Sequence, residues 1–156
     1  MGVLNKRLES LQAALATLEE ILKHRSSVVV RDATIQRFEY TTEAAWKALK
    51  HYLQEQEGIE CNTPKGCIRA ACKANLLNEE ETESFMQMIN DRNLTSHAYV
   101  PEIAQRISSK IPEYARLLRK LYNSMQPSSN EEFESDLEAH ALWAWSEMLG
   151  SAFEIF

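Results

Sequence analysis

The chain has 156 residues, 44% of them apolar and 26% charged, which allows one domain with a real core and leaves too little for two comfortable ones. Its net charge of -6 is uneven: residues 1–122 hold all 17 Lys and Arg against 16 Asp and Glu (+1), while residues 123–156 hold seven acids and no Lys or Arg (-7). The acidic end is excluded as a surface for polyanions, whereas the near-neutral body can still present a local basic groove.

Leu4, Leu8, Leu11, Leu15, Leu18 and Leu22 recur at three- and four-residue spacing, which predicts a first helix from about Val3 to His24. Ser26 and Ser27 break it. A second helix is expected from near Arg31 to about Glu57, with Ile35, Phe38, Ala45, Trp46, Leu49 and Leu53 as its apolar stripe. Tyr40, Glu43, Lys47 and Lys50 lie on another side, Glu43 and Lys47 at the favourable i,i+4 spacing. Gly58 is a stop signal. Thr63-Pro64 reads as an N-cap followed by proline at the first helical position, opening a short helix to about Ala74. Asn78 with Glu81 resembles a capping box. The helix it opens buries Phe85, Met88 and Ile89 and leads into Arg92-Asn93-Leu94-Thr95-Ser96-His97. Pro101 opens the last core helix, marked by Ile103, Ile107, Ile111, Leu118 and Leu121, with Pro112 able to kink it or end its first part.

Residues 126–130 are a linker by composition. A further helix over about Glu131 to Leu149 is expected to dock on the bundle or on a partner chain. The competing reading is an acidic flap that rivals nucleic acid for a basic groove. The fold class is therefore all-α: an antiparallel, up-and-down four-helix bundle over residues 1–122, with an acidic, aromatic extension over 123–156. Trp46 and Tyr52 supply large apolar area to the core or to a dimer seam.

No apolar run approaches the roughly 20 residues needed to span a bilayer, and Met1 to Arg25 is amphipathic rather than a signal peptide. No membrane partner is expected. Cys61, Cys67 and Cys72 are odd in number and lack a C-x-x-C pair, so free thiols in a reducing, cytoplasmic compartment are expected. His24, His51, His97 and His140 form no ligand pair of the H-E-x-x-H kind, so neither a metal nor another cofactor is expected.

Arg92 and His97 carry the candidate chemistry. A guanidinium binds phosphate oxygens in a fork and stabilises a pentacoordinate transition state. An imidazole titrates near neutrality and can exchange a proton with a 2′-hydroxyl or a leaving oxygen. On an ideal helix the two point about 140° apart, on the shoulders of a groove, whereas Asn93 and His97 share a face. Asn93, Thr95 and Ser96 can add hydrogen bonds, and Arg37, Lys47 and Lys50 can add positive charge for RNA or a nucleotide. The competing reading pairs Arg92 with a local carboxylate such as Asp91 and makes His97 a cap.

The wider context resembles a known family. Residues 31–40, then Ala45-Trp46-Lys47 and Lys50-His51-Tyr52-Leu53, resemble the second helix of the nucleotidyltransferase substrate-binding proteins, which are HEPN proteins of the HepT-like branch. Thr63-Pro64-Lys65 to Arg69-Ala70-Ala71 resembles their next helix start, and Arg92 to Tyr99 resembles their R-x4-H-x-Y signature. The likeness covers about residues 4–122. It implies a four-helix bundle forming a two-fold dimer, with a minimal nucleotidyltransferase as cognate partner. It further implies a toxin with metal-independent endoribonuclease activity carried by Arg92 and His97, silenced by AMP transfer to Tyr99. The alternative within the same resemblance is a non-catalytic substrate-binding subunit. Two features depart from the pattern: the tail after Asn123 has no counterpart, and Gly66 and Cys67 stand where ordinary helix formers are expected.

Overall fold

The leucine stripe becomes the buried face of α1 (Gly2–Ile21), where Leu4, Leu8, Leu11, Leu15 and Leu18 all turn inward with Ile21. The structure is a computed structural model and describes residues 2–127. Beyond Ile21 the backbone tightens into i→i+3 bonds, with Lys23 N–H donating to Glu20 O and His24 N–H to Ile21 O. The helix therefore stops short of His24.

α2 (Val28–Glu57) begins three residues ahead of the expected Arg31 because Ser27 is its N-cap. The Ser27 hydroxyl accepts from Val30 N–H at 3.1 Å, satisfying a donor that has no helical partner. Gly58 ends the helix in the left-handed region at φ 65°, a conformation that disfavours any side chain.

α3 (Pro64–Lys73) is capped by Thr63, whose Oγ1 accepts from Gly66 N–H at 3.0 Å. This contact explains Gly66. A Cβ there would stand 2.7 Å from the same Thr63 Oγ1, so the cap and a larger residue compete for one space. α4 (Glu79–Leu94) opens on the full capping box, with Asn78 Oδ1 accepting from Glu81 N–H at 2.7 Å and Glu81 Oε1 accepting from Asn78 N–H at 3.0 Å. A 3-10 turn, Thr95–His97, follows.

α5 (Pro101–Met125) runs unbroken through Pro112 and three residues past the expected boundary at 122. Pro112 lies on the exposed face, where solvent can take the hydrogen bond its missing N–H leaves unmade. The further helix expected over 131–149 lies outside the described residues.

The long helices pack as an all-α bundle, with α2 against α1 and α5, and α4 against α5. α1 and α2 run antiparallel: Arg37 Nη1 donates to Thr17 O at 2.7 Å, and the Tyr40 hydroxyl meets the Thr17 hydroxyl. α5 is tied to α1 by Arg119, which engages Glu19 and donates to Gln12 Oε1 at 2.5 Å. It is tied to α4 by Lys120–Glu81 at 2.7 Å. Leu11, Leu15, Leu18, Phe38, Leu49, Leu53, Met88, Ile107 and Leu118 are wholly buried between them. Each such leucine contributes roughly 1.5–3 kcal/mol by leaving water. Trp46 and Tyr52 pack against this core half-buried.

The cysteines depart from the expectation of free thiols. Cys61 and Cys67 are joined in a disulfide, their Cα atoms 5.2 Å apart, while Cys72 is unpaired. The loop after Gly58 folds back on the start of α3 and brings the two side chains within bridging reach, a proximity the C-x5-C spacing does not announce. Among the described residues, no helix is long and apolar enough to cross a membrane.

Candidate functional site

The last turn of α4 places Arg92. The helical ladder ends at Leu94, and the chain tightens: Thr95 Oγ1 donates to Arg92 O at 2.6 Å, and Ala98 N–H donates to Thr95 O at 3.1 Å. This tightening corrects the ideal-helix geometry. With about 120° per residue over the 3-10 turn, Arg92 and His97 end up about 160° apart, and Asn93 and His97 about 100° apart rather than on one face.

Arg92 turns toward α2, where its Nη2 lies 3.5 Å from Glu43 Oε2. Glu43 also holds Lys47, Oε1 to Nζ 3.6 Å, so one carboxylate serves two cations. Arg92 Nε is buried and has no hydrogen-bond partner among the described residues. These residues line a groove of about 460 Å³ between α1 and α4, floored by one stripe of α2: Gln36, Glu39, Tyr40, Glu43, Ala44 and Lys47. Arg7 and Ser10 of α1 form its far wall.

A second groove, about 370 Å³, continues along the same stripe and shares Gln36 and Glu39. Asp32, Thr95 and Tyr99 line it. Tyr99 is 80% exposed. The ring of His97, itself exposed, meets it edge-on at 6.1 Å between centroids. His97 thus stands beside the Tyr99 groove, while Arg92 sits in the adjoining one.

Asn93 and Ser96 are exposed, and the Ser96 hydroxyl lies 3.4 Å from Asn93 O. Lys47 shares the Arg92 groove, but Lys50 lines neither groove, and Arg37 spends one N–H on the α1–α2 seam. Asp91 is not the partner of Arg92. Consecutive helical residues point about 100° apart, and Asp91 is wholly buried facing α5. There its Oδ2 accepts from the Tyr114 hydroxyl at 2.5 Å and lies 3.8 Å from Lys110 Nζ, while Oδ1 accepts from Gln87 Nε2 at 3.2 Å. Burial first, then this bond to a carboxylate, raises the Tyr114 phenol well above its usual range.

Sequence reasoning missed the burial of Asp91 against α5, the place of Arg7 in the groove and the ion pair between Arg92 and Glu43. Asp91 had a signal: it falls three residues after Met88 on the apolar stripe, where a carboxylate needs partners. Arg7 and the Glu43–Arg92 pair depend on contacts between helices and had none. Among the described residues, no group of three or more His, Cys, Asp or Glu side chains is placed to hold a metal ion.

Comparison with known proteins adds a family. The family described as nucleotidyltransferase substrate binding protein like matches residues 6–127. A solved structure from Thermus thermophilus is 46% identical, with a TM-score of 0.73 over 75% of this chain and 99% of that one. A Haemophilus influenzae protein, solved as the fold of a nucleotidyltransferase substrate-binding domain, is 21% identical, with a TM-score of 0.66 over 77% of this chain and 99% of that one. A chain of the toxin–antitoxin MntA-HpeT is 11% identical, with a TM-score of 0.66 over 80% of this chain and 98% of that one. At these last two identities the likeness is one of fold alone. A search of curated proteins returned no match.

Proposed function

Because this chain belongs to the nucleotidyltransferase substrate binding protein-like family, we propose that it is a HEPN-type toxin: a metal-independent endoribonuclease, silenced when a partner nucleotidyltransferase transfers AMP to Tyr99. The observation that carries this reading is the pair of joined grooves, with Arg92 in one and the exposed Tyr99, beside His97, in the other. Cleavage proceeds by attack of the ribose 2′-oxygen on phosphorus. The O2′–P bond forms, the P–O5′ bond breaks, and the products carry a 2′,3′-cyclic phosphate and a 5′-hydroxyl. His97 exchanges the proton at the attacking or leaving oxygen, and Arg92 neutralises charge on the equatorial oxygens. Silencing is a transfer in which the Tyr99 phenol oxygen attacks the α-phosphorus of ATP, pyrophosphate leaves and the phenolic proton is released. The added nucleotide blocks the groove by bulk and charge. The working unit in this reading is a two-fold dimer.

A second reading, a non-catalytic subunit that presents a substrate to the nucleotidyltransferase, is favoured by one contact: Glu43 already neutralises Arg92. The test is cleavage of a mixed RNA pool in EDTA by protein whose intact mass excludes adenylylation, beside His97→Ala. Cyclic-phosphate ends that vanish in the variant support the ribonuclease. Uncut RNA with the unmodified protein moves the binding subunit ahead.

A further inference from the structure

Three cations line the Arg92 groove: Arg7, Lys47 and Arg92. Two of them are committed to Glu43. Arg7 is half-buried and has no ion pair among the described residues. The helix register places it. Thr17 of α1 meets both Arg37 and Tyr40 of α2, and the two helices are antiparallel, so Arg7, ten residues before Thr17, falls against the turn of α2 that begins at Lys47, with which it lines the groove. The three cations therefore gather at one end of the groove. Glu39, the groove carboxylate without a cation partner among the described residues, lies eight residues before Lys47, roughly 12 Å along the helix axis toward Tyr99.

We propose that Arg7, with Lys47, forms a second phosphate subsite on the α1 wall of the groove, beside the one at Arg92. Its ligand chemistry is a phosphate group of a ribonucleotide, carried either by an RNA strand or by a free nucleotide. The proposal rests on the reading of this groove as a ribonucleotide site. An uncommitted guanidinium is suited to the task, because its planar fork matches phosphate oxygens and no intramolecular pair has to be broken before it binds. A phosphate reaching Lys47 also relieves the crowding of two cations on one carboxylate. α1 thereby becomes part of the binding surface rather than only a packing element.

The experiment measures binding of a 2′-O-methylated single-stranded RNA, which lacks the nucleophile and stays uncut, across a salt series, and binding of ATP in a separate arm. Arg7→Ala is compared with wild type and with Arg116→Ala, a control at an exposed arginine paired with Glu113 outside the groove. Arg7→Gln replaces the alanine variant if the latter melts early. The expected result for Arg7→Ala is about fivefold weaker RNA binding and a salt slope reduced by about 0.7, with no change for Arg116→Ala. A loss confined to the ATP arm supports the subsite, assigns it to a nucleotide and turns against the ribonuclease. RNA and ATP binding untouched by Arg7→Ala overturns the subsite while leaving the ribonuclease standing. A wild-type protein that binds neither ligand overturns both.

Discussion

Tyr114→Phe isolates one hydroxyl in the bond network behind Arg92. The ring keeps its place, because its stack on Phe38, 5.6 Å between centroids and 20° between planes, needs no oxygen. What is lost is the bond at 2.5 Å to Asp91, a carboxylate with no exposure. A hydrogen bond to a charged group is worth about 1.5–3 kcal/mol, and an uncompensated buried charge costs more. Gln87 at 3.2 Å and Lys110 at 3.8 Å remain as partners, which holds the expected loss to about 2 kcal/mol. For a bundle of this size that is a fall in Tm of about 6–10 °C. The pH dependence has a definite sign. The folded-state pKa of Tyr114 is raised, so its contribution is complete below the unfolded value of about 10 and is lost as pH climbs through the folded one. The advantage of wild type over the phenylalanine variant should therefore be constant from neutral pH to about 10 and shrink above it. Urea unfolding followed by circular dichroism at neutral and alkaline pH reads both quantities. A variant within about 0.5 kcal/mol of wild type at neutral pH would refute the argument that this hydroxyl carries the buried carboxylate.

Three further outcomes follow from the same physics. Thr63→Ala should cost about 1 kcal/mol, and Gly66→Ala alone should be near neutral, because the gain in helix propensity is offset by the lost cap; in the Thr63→Ala background the same Gly66→Ala should stabilise by about 1 kcal/mol, and a chemical-denaturation cycle showing strict additivity would count against the steric account. Glu81 has a lowered pKa, first through its bond to Lys120 and then through the Asn78 backbone, so the stability it adds is present above about pH 4.5 and lost as pH falls through its folded value. Acid melts of Glu81→Gln should accordingly show a flatter loss than wild type below that pH. Thiol titration of the unfolded protein should find one thiol, Cys72, before reduction and three after; opening the short Cys61–Cys67 loop should lower stability by about 2 kcal/mol.

Much of the fold was legible because its signals are local. The leucine stripe of α1, the Asn78–Glu81 capping box, the Thr63-Pro64 start and the Gly58 stop each depend on residues within about one helical turn. The start of α2 was misplaced because a serine reads equally as a breaker and as a cap, and only the bond from Val30 N–H to Ser27 decides. Gly66 reads locally as a flaw in a helix; in the fold the Thr63 hydroxyl occupies the space a Cβ would need. The family was legible through the joint pattern of the second helix and the Arg92 to Tyr99 segment, and the match over residues 6–127 supports it.

The sequence by itself determined which segments become helices and which face of each is apolar, because periodicity and caps are short-range properties of the chain. Only the tertiary structure decided which charges meet. Glu43 holds Arg92 and Lys47 together, Arg7 arrives from a helix far away in sequence, and Asp91 turns to Tyr114 rather than to its neighbour Arg92. The same is true of Cys61 and Cys67, whose pairing needs a loop folded back on a helix. Such contacts follow from helix register and from where the 3-10 turn after Leu94 re-aims the backbone, and these are settled only when the apolar faces pack.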